Sequence, residues 1–199
     1  MSGRDLLLFA QALLRSPREV GAIAPSSFQL GDRLAAVVPR RDDAVIVELG
    51  AGTGVVTARI DARRSPISTL LAFERNPQLA MEVRRTAPQA HVIADDARKL
   101  RGYLEERGLM TVDAIVCGLP WANFSEAEQS ELLSAITDAL GGGGVFTTFA
   151  YVHALVLPQA RRFRDALTAR FDEVLATRAV LRNLPPAITY VCRTPVAQR

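Results

Sequence analysis

From residue 44 onward the chain alternates short apolar runs with longer stretches of helical periodicity. The runs at 44–49, 69–73, 90–94, 112–117 and 145–150 have the length and content of strands buried on both faces. Each of the intervening stretches, at 55–63, 76–86, 97–107 and 125–140, predicts a helix, as does 158–170 after the last run. Asn76 and Pro77 pair a capping residue with proline at the first helical position. Ser125 and Glu128 have the spacing of a capping box, and the glycines at 141–144 predict a turn. This order is that of a parallel sheet with crossover helices. The rhythm then changes: 171–181 and 188–193 are strand-like with no helix between them, so they should pair antiparallel as a hairpin. The predicted fold is α/β: a Rossmann-like, seven-stranded mixed sheet with an antiparallel C-terminal hairpin and helices on both faces. A dinucleotide-binding domain would instead continue with a parallel sixth strand.

Ahead of the sheet, Leu6, Phe9, Ala10 and Leu13 share one face of a predicted helix over 3–15. Ser26 and Gln29 could cap a second helix over about 28–38, with an ordered loop between the two. Residues 1–40 are read as helices and a lid belonging to the same domain as the core at 41–199. The apolar run at 6–14 is short of the roughly 20 residues a membrane span needs. Arg15, Arg18 and Glu19 separate it from the cleavage-like Ala22-Ile23-Ala24, which argues against a signal peptide.

Composition adds limits. With 199 residues, 49% of them hydrophobic, there is material for one well-filled domain. A formal charge of +3 is far from a dedicated nucleic-acid binder, and no nucleic-acid partner is expected. Lys99 is the only lysine; the arginines that replace it elsewhere either reflect coding composition or meet phosphate in bidentate fashion. Cys117 and Cys192 lie in apolar runs, as buried thiols of a reducing cytoplasm would. His91 and His153 have no ligand spacing, so no metal is expected.

The densest chemistry is the strand-to-helix bend Glu48-Leu49-Gly50-Ala51-Gly52-Thr53-Gly54. Glycines there let the backbone approach a ligand and take positive φ. The dinucleotide pattern G-x-G-x-x-G would need glycine at position 55, which is Val55. Glu74, ending the next strand with Arg75 beside it, could accept both ribose hydroxyls in charge-assisted hydrogen bonds. Asp95, Asp96 and Ala97 follow the third strand; either aspartate alone could be only a helix cap. All three sets fall at strand carboxyl ends, where this architecture binds ligands.

The order E-x-G-x-G-x-G resembles that of class I S-adenosylmethionine-dependent methyltransferases. That resemblance implies S-adenosylmethionine as cofactor, its methionine portion against the glycine bend and Glu48, its adenine meeting Asp96 and the Ala97 N–H. Gly118-Leu119-Pro120-Trp121, after the fourth strand, resembles the acceptor motif of amino-directed methyltransferases. In such a motif, carbonyls and an aromatic face would hold an amine in line with the methyl group. The segment from Arg18 through Gly21, Ile23, Pro25, Ser26 and Ser27, together with Gly118-Leu119-Pro120 and Asn183-Leu184-Pro185-Pro186-Ala187, resembles bacterial phospholipid N-methyltransferases over nearly the whole chain. The implied activity is methylation of the phosphatidylethanolamine amine, with the N-terminal amphipathic helix on the membrane phospholipid and the enzyme peripheral at the inner face. Tyr151 would position the amine or phosphate, and His153 is a candidate base. The rRNA adenine dimethyltransferases are related, but their Asn is replaced here by Gly118. Another amine-bearing lipid, such as an ornithine lipid, or a small molecule remains open as acceptor.

Overall fold

The structure is a computed structural model describing residues 27–196. The helix expected at 3–15 and the site candidates Arg18, Gly21, Ile23, Pro25 and Ser26 lie outside the described residues. The strands are β1 (Val45–Leu49), β2 (Thr69–Phe73), β3 (His91–Ile93), β4 (Val112–Cys117), β5 (Leu140–Tyr151), β6 (Phe171–Ala176) and β7 (Ala187–Pro195). The α-helices are α1 (Phe28–Leu34), α2 (Val55–Asp61), α3 (Pro77–Thr86), α4 (Leu100–Glu106), α5 (Glu126–Ala139) and α6 (Pro158–Thr168). Asn76 caps α3 with proline at its start, and Ser125 and Glu128 form the capping box of α5.

The strands lie in the order β3-β2-β1-β4-β5-β7-β6. β1 to β5 run parallel, and β7 is antiparallel to both β5 and β6. This is the seven-stranded mixed sheet with an antiparallel C-terminal hairpin that the sequence predicts. Alternate residues of β1 go to opposite faces. Ile46 packs with Leu30 and Leu34 of α1 and with Val56 and Ile60 of α2. Val47 and Leu49 pack with Leu100, Leu132, Ile136 and Leu167 from α4, α5 and α6. The chain leaves β1 outward through β2 and β3, then returns to β4 on β1's other side. The carboxyl ends of β1 and β4 therefore flank the switch point, where a crevice opens in such sheets.

Three local readings change. The glycines at 141–144 do not end the strand. Ladder pairing passes from Val112↔Leu140 to Ala114↔Val145, so two steps on β4 face five on β5 and the glycines bulge within one long strand. A Cβ at Gly144 would come within 2.8 Å of Val112 O, so a side chain could not follow that path. The helix expected at 97–107 begins as a 3-10 turn at Ala97–Lys99 before α4. The strand expected at 171–181 stops at Ala176, leaving one isolated bridge from Val180 to Ala187.

Candidate active site

Gly50, Gly52 and Gly54 all have positive φ, at 78°, 56° and 84°. The bend is held by the neighbouring strand: the N–H groups of Gly50 and Ala51 both donate to Phe73 O, at 2.9 and 3.0 Å. Gly52 N–H donates to Glu74 Oε2 at 2.8 Å, and the other carboxylate oxygen accepts from Asn76 N–H at 2.8 Å. Glu74 thus ties the glycine bend to the cap of α3. Each oxygen keeps a further lone pair for a ligand hydroxyl. Thr53 and Arg75 are exposed, and Ala51 is buried.

Glu48 is fully buried, and neither carboxyl oxygen has a hydrogen-bond partner among the described residues. Burial pushes its carboxyl up to about 8; the neighbouring Thr57 hydroxyl opposes the rise, without reaching hydrogen-bond geometry, and the charge of Glu74 adds to it. A buried acid with unused acceptors under a glycine bend is a ready receptor for a polar, cationic ligand group. The bend, Glu48 and Glu74 therefore fit the cofactor expected from the sequence.

Asp95 and Asp96 stand where the third strand ends. Asp96 caps the 3-10 turn through Arg98 N–H and is gripped by the Arg98 side chain at 3.0 and 2.7 Å. The Arg98 side chain holds its carboxyl down to about 2, the backbone N–H of Arg98 and the nearby Arg75 charge helping. Asp95 accepts from Asp96 N–H, Lys99 Nζ and Tyr103 OH, which lower its own carboxyl. Sequence reading missed Arg98, Lys99 and Tyr103 as the groups that set these aspartates. Arg98 and Lys99 had a signal in their spacing from the acids; Tyr103 had none.

The acceptor loop meets the glycine bend directly. Gly118 N–H donates to Leu49 O at 2.8 Å. A Cβ at Gly118 would lie 2.8 Å from Gly50 O, and a Cβ at Gly50 would lie 2.6 Å from Leu119 Cδ2. The contact with backbone requires glycine at 118, whereas at 50 it is the positive φ of 78° that favours glycine, since the Leu119 tip could move aside. Pro120 O accepts from Asn123 N–H at 2.9 Å, while the carbonyls of Gly118 and Leu119 accept nothing among the described residues.

Trp121 corrects an expectation. Its indole does not present a face to the crevice: it is 5% exposed and belongs to the core beneath the loop. It stacks on Phe163 with centroids 4.6 Å apart, and its Nε1–H donates to Thr148 Oγ1 at 2.7 Å. An aromatic with its one donor satisfied inside gains more from burial than from exposure.

Tyr151 ends β5 opposite Ala187, packed edge-on against Phe149 and stacked on the exposed His153 with centroids 5.6 Å apart. Burial raises the pKa of its phenol. Ser27 caps α1, accepting from Leu30 N–H at 3.2 Å. Its own N–H donates to Oδ1 of Asn183, a 3% exposed side chain whose Nδ2 donates to Pro185 O at 2.7 Å. One amide thus joins the first described residue to the loop before β7, uniting two segments singled out in the sequence. Among the described residues no helix is long and apolar enough to cross a membrane.

No family model matches the chain. It is 33% identical to an ornithine lipid N-methyltransferase of Singulisphaera acidiphila over 193 residues, 96% of each protein. Its fold is similar to that of an O-methyltransferase from Bacillus cereus in complex with S-adenosylhomocysteine, at a TM-score of 0.65 and 15% identity, covering 93% of this chain and 90% of that one. It is also similar to precorrin-8w decarboxylase from Methanobacterium thermoautotrophicum, at a TM-score of 0.61 and 20% identity, covering 86% and 92%.

Proposed function

The chain belongs to the lipid N-methyltransferases, with S-adenosylmethionine as cofactor, and on that premise we propose that it methylates the headgroup amine of a membrane aminolipid. Ornithine lipid is the acceptor that the relative's name supports, and phosphatidylethanolamine offers the same primary amine. The observation that carries the reading is the contact of Gly118 and Leu119 with Gly50, because it sets the acceptor loop directly against the cofactor bend.

Glu48, the glycine bend, Glu74 and the Asp95–Ala97 turn would hold the cofactor. When bound, S-adenosylmethionine supplies a sulfonium methyl group that an amine lone pair takes in one displacement, the C–S electrons staying on sulfur. The protein's part is positional. The carbonyls of Gly118 and Leu119, which accept nothing among the described residues, would accept from the amine and favour its growing positive charge. Tyr151 borders the amine from β5. The acceptor arrives as an ammonium and must lose a proton first; in this reading His153 relays it to solvent. An adenine acceptor is disfavoured because no amide side chain fits at position 118. The reaction belongs at the membrane surface on the cytoplasmic side, a setting supported by two free, buried thiols.

Purified protein with labelled methyl donor, offered separate vesicles containing ornithine lipid or phosphatidylethanolamine, tests this. Label is expected in the ornithine lipid arm. Label confined to the other arm would move the acceptor to phosphatidylethanolamine, and label only in added RNA would overturn the reading.

A further inference from the structure

We propose that the loop following β5 and the loop preceding β7 together form a docking surface for an anionic bilayer. The proposal rests on the lipid-acceptor reading above. The two loops are neighbours at the carboxyl end of the sheet, where Val152 N–H donates to Pro186 O at 2.8 Å. Their apolar side chains point into solvent. Val156 and Leu181 are 75% and 77% exposed, and Val152, Leu157 and Leu184 are exposed as well. Ile67 and Met110, also exposed, stand at the opposite end of the sheet, ahead of β2 and β4, without such company. Grouped exposed apolar side chains mark a surface that another phase or protein covers.

Charge selects the occupant. Arg178 and Arg182 are exposed on the same connection, and among the described residues neither has an acidic side chain at ion-pair distance. Guanidinium groups beside apolar tips match the phosphate layer and acyl boundary of a bilayer. Position gives the surface its use. Tyr151, the last residue of β5, adjoins the first loop and Asn183 sits within the second, so a bilayer seated on them would bring lipid headgroups to the crevice without a lipid leaving the membrane.

The test uses the full chain and two double variants, Val156→Glu with Leu181→Glu, and Arg178→Glu with Arg182→Glu. Sedimentation with phosphatidylglycerol-containing and with purely phosphatidylcholine vesicles reads docking. S-adenosylhomocysteine affinity and methylation of detergent-dispersed aminolipid read the fold and the chemistry. Burial of one such apolar side chain is worth about tenfold or more in partitioning, and each arginine near an anionic surface about fivefold. Each double variant should therefore lose at least about tenfold in binding to anionic vesicles, with S-adenosylhomocysteine affinity and detergent-dispersed activity within about twofold of the parent. Unchanged vesicle binding by both variants would overturn the proposal and assign attachment to the residues before Ser27. Equal binding of the parent to neutral and anionic vesicles would overturn it too. A parent that binds vesicles through these loops yet methylates no dispersed aminolipid would refute the acceptor reading and leave the docking surface standing.

Discussion

Replacing Glu48 by Gln should change how stability depends on pH, and the size of the effect follows from burial. The native carboxyl titrates near 8, whereas the same group in the unfolded chain titrates near 4.5. Between those values the native state holds a proton that the unfolded state has released, so unfolding becomes easier as pH rises. Over the interval from 4.5 to 7, at about 1.4 kcal/mol per pH unit, Glu48 removes about 3 kcal/mol of stability that is fully present at lower pH. Glutamine keeps the shape and does not titrate. Urea unfolding of both proteins without cofactor, at intervals from pH 5 to pH 9, should show the parent losing about 3–4 kcal/mol of stability relative to the variant, flattening above about 8. Parallel curves would mean that the acid is ionised or solvated in the native state, and the reasoning from its unpaired, buried oxygens would be refuted.

Two further substitutions separate the loop from the core beneath it. Gly118→Ala pushes a methyl group against Gly50 O, so S-adenosylhomocysteine affinity should fall about tenfold or more, as for a distorted positioning element; titration calorimetry giving the parent's affinity would show that the two loops are not in contact. Trp121→Phe leaves the Thr148 hydroxyl without its buried donor and should cost about 1–3 kcal/mol in denaturant unfolding while methylation persists at a temperature where the variant is folded; a catalytic loss with unchanged stability would restore the indole to the site.

What the sequence disclosed best was whatever has a local cause. The alternation of apolar runs fixed β1, β2 and β4, and Asn76-Pro77 and Ser125 with Glu128 fixed helix starts through bonds spanning three residues or fewer. The glycine bend was legible because its positive φ angles restrict residue type at each point. What stayed hidden depends on partners distant in sequence. That Trp121 turns inward is decided by Phe163 and Thr148. That position 118 has no room for a side chain is decided by Gly50 O, 68 positions earlier. The glycine run at 141–144 read as a turn because the pairing that stretches it into β5 belongs to β4. Asn183 stood out as part of a motif, but nothing near it in the chain named Ser27 as its partner.

The bond between Ser27 and Asn183 spans 156 positions, which sets an order of events during synthesis. The ribosome makes the amino-terminal part first, yet the amide that anchors the start of α1 emerges only after β1 to β6 have been translated. The β1–β5 sheet can assemble before then, with its β5 edge unpaired until β7 arrives to cover it. The final hairpin therefore closes an open sheet edge and, in the same step, fixes the entrance to the first helix, so a nascent chain arrested before residue 183 would carry both defects at once.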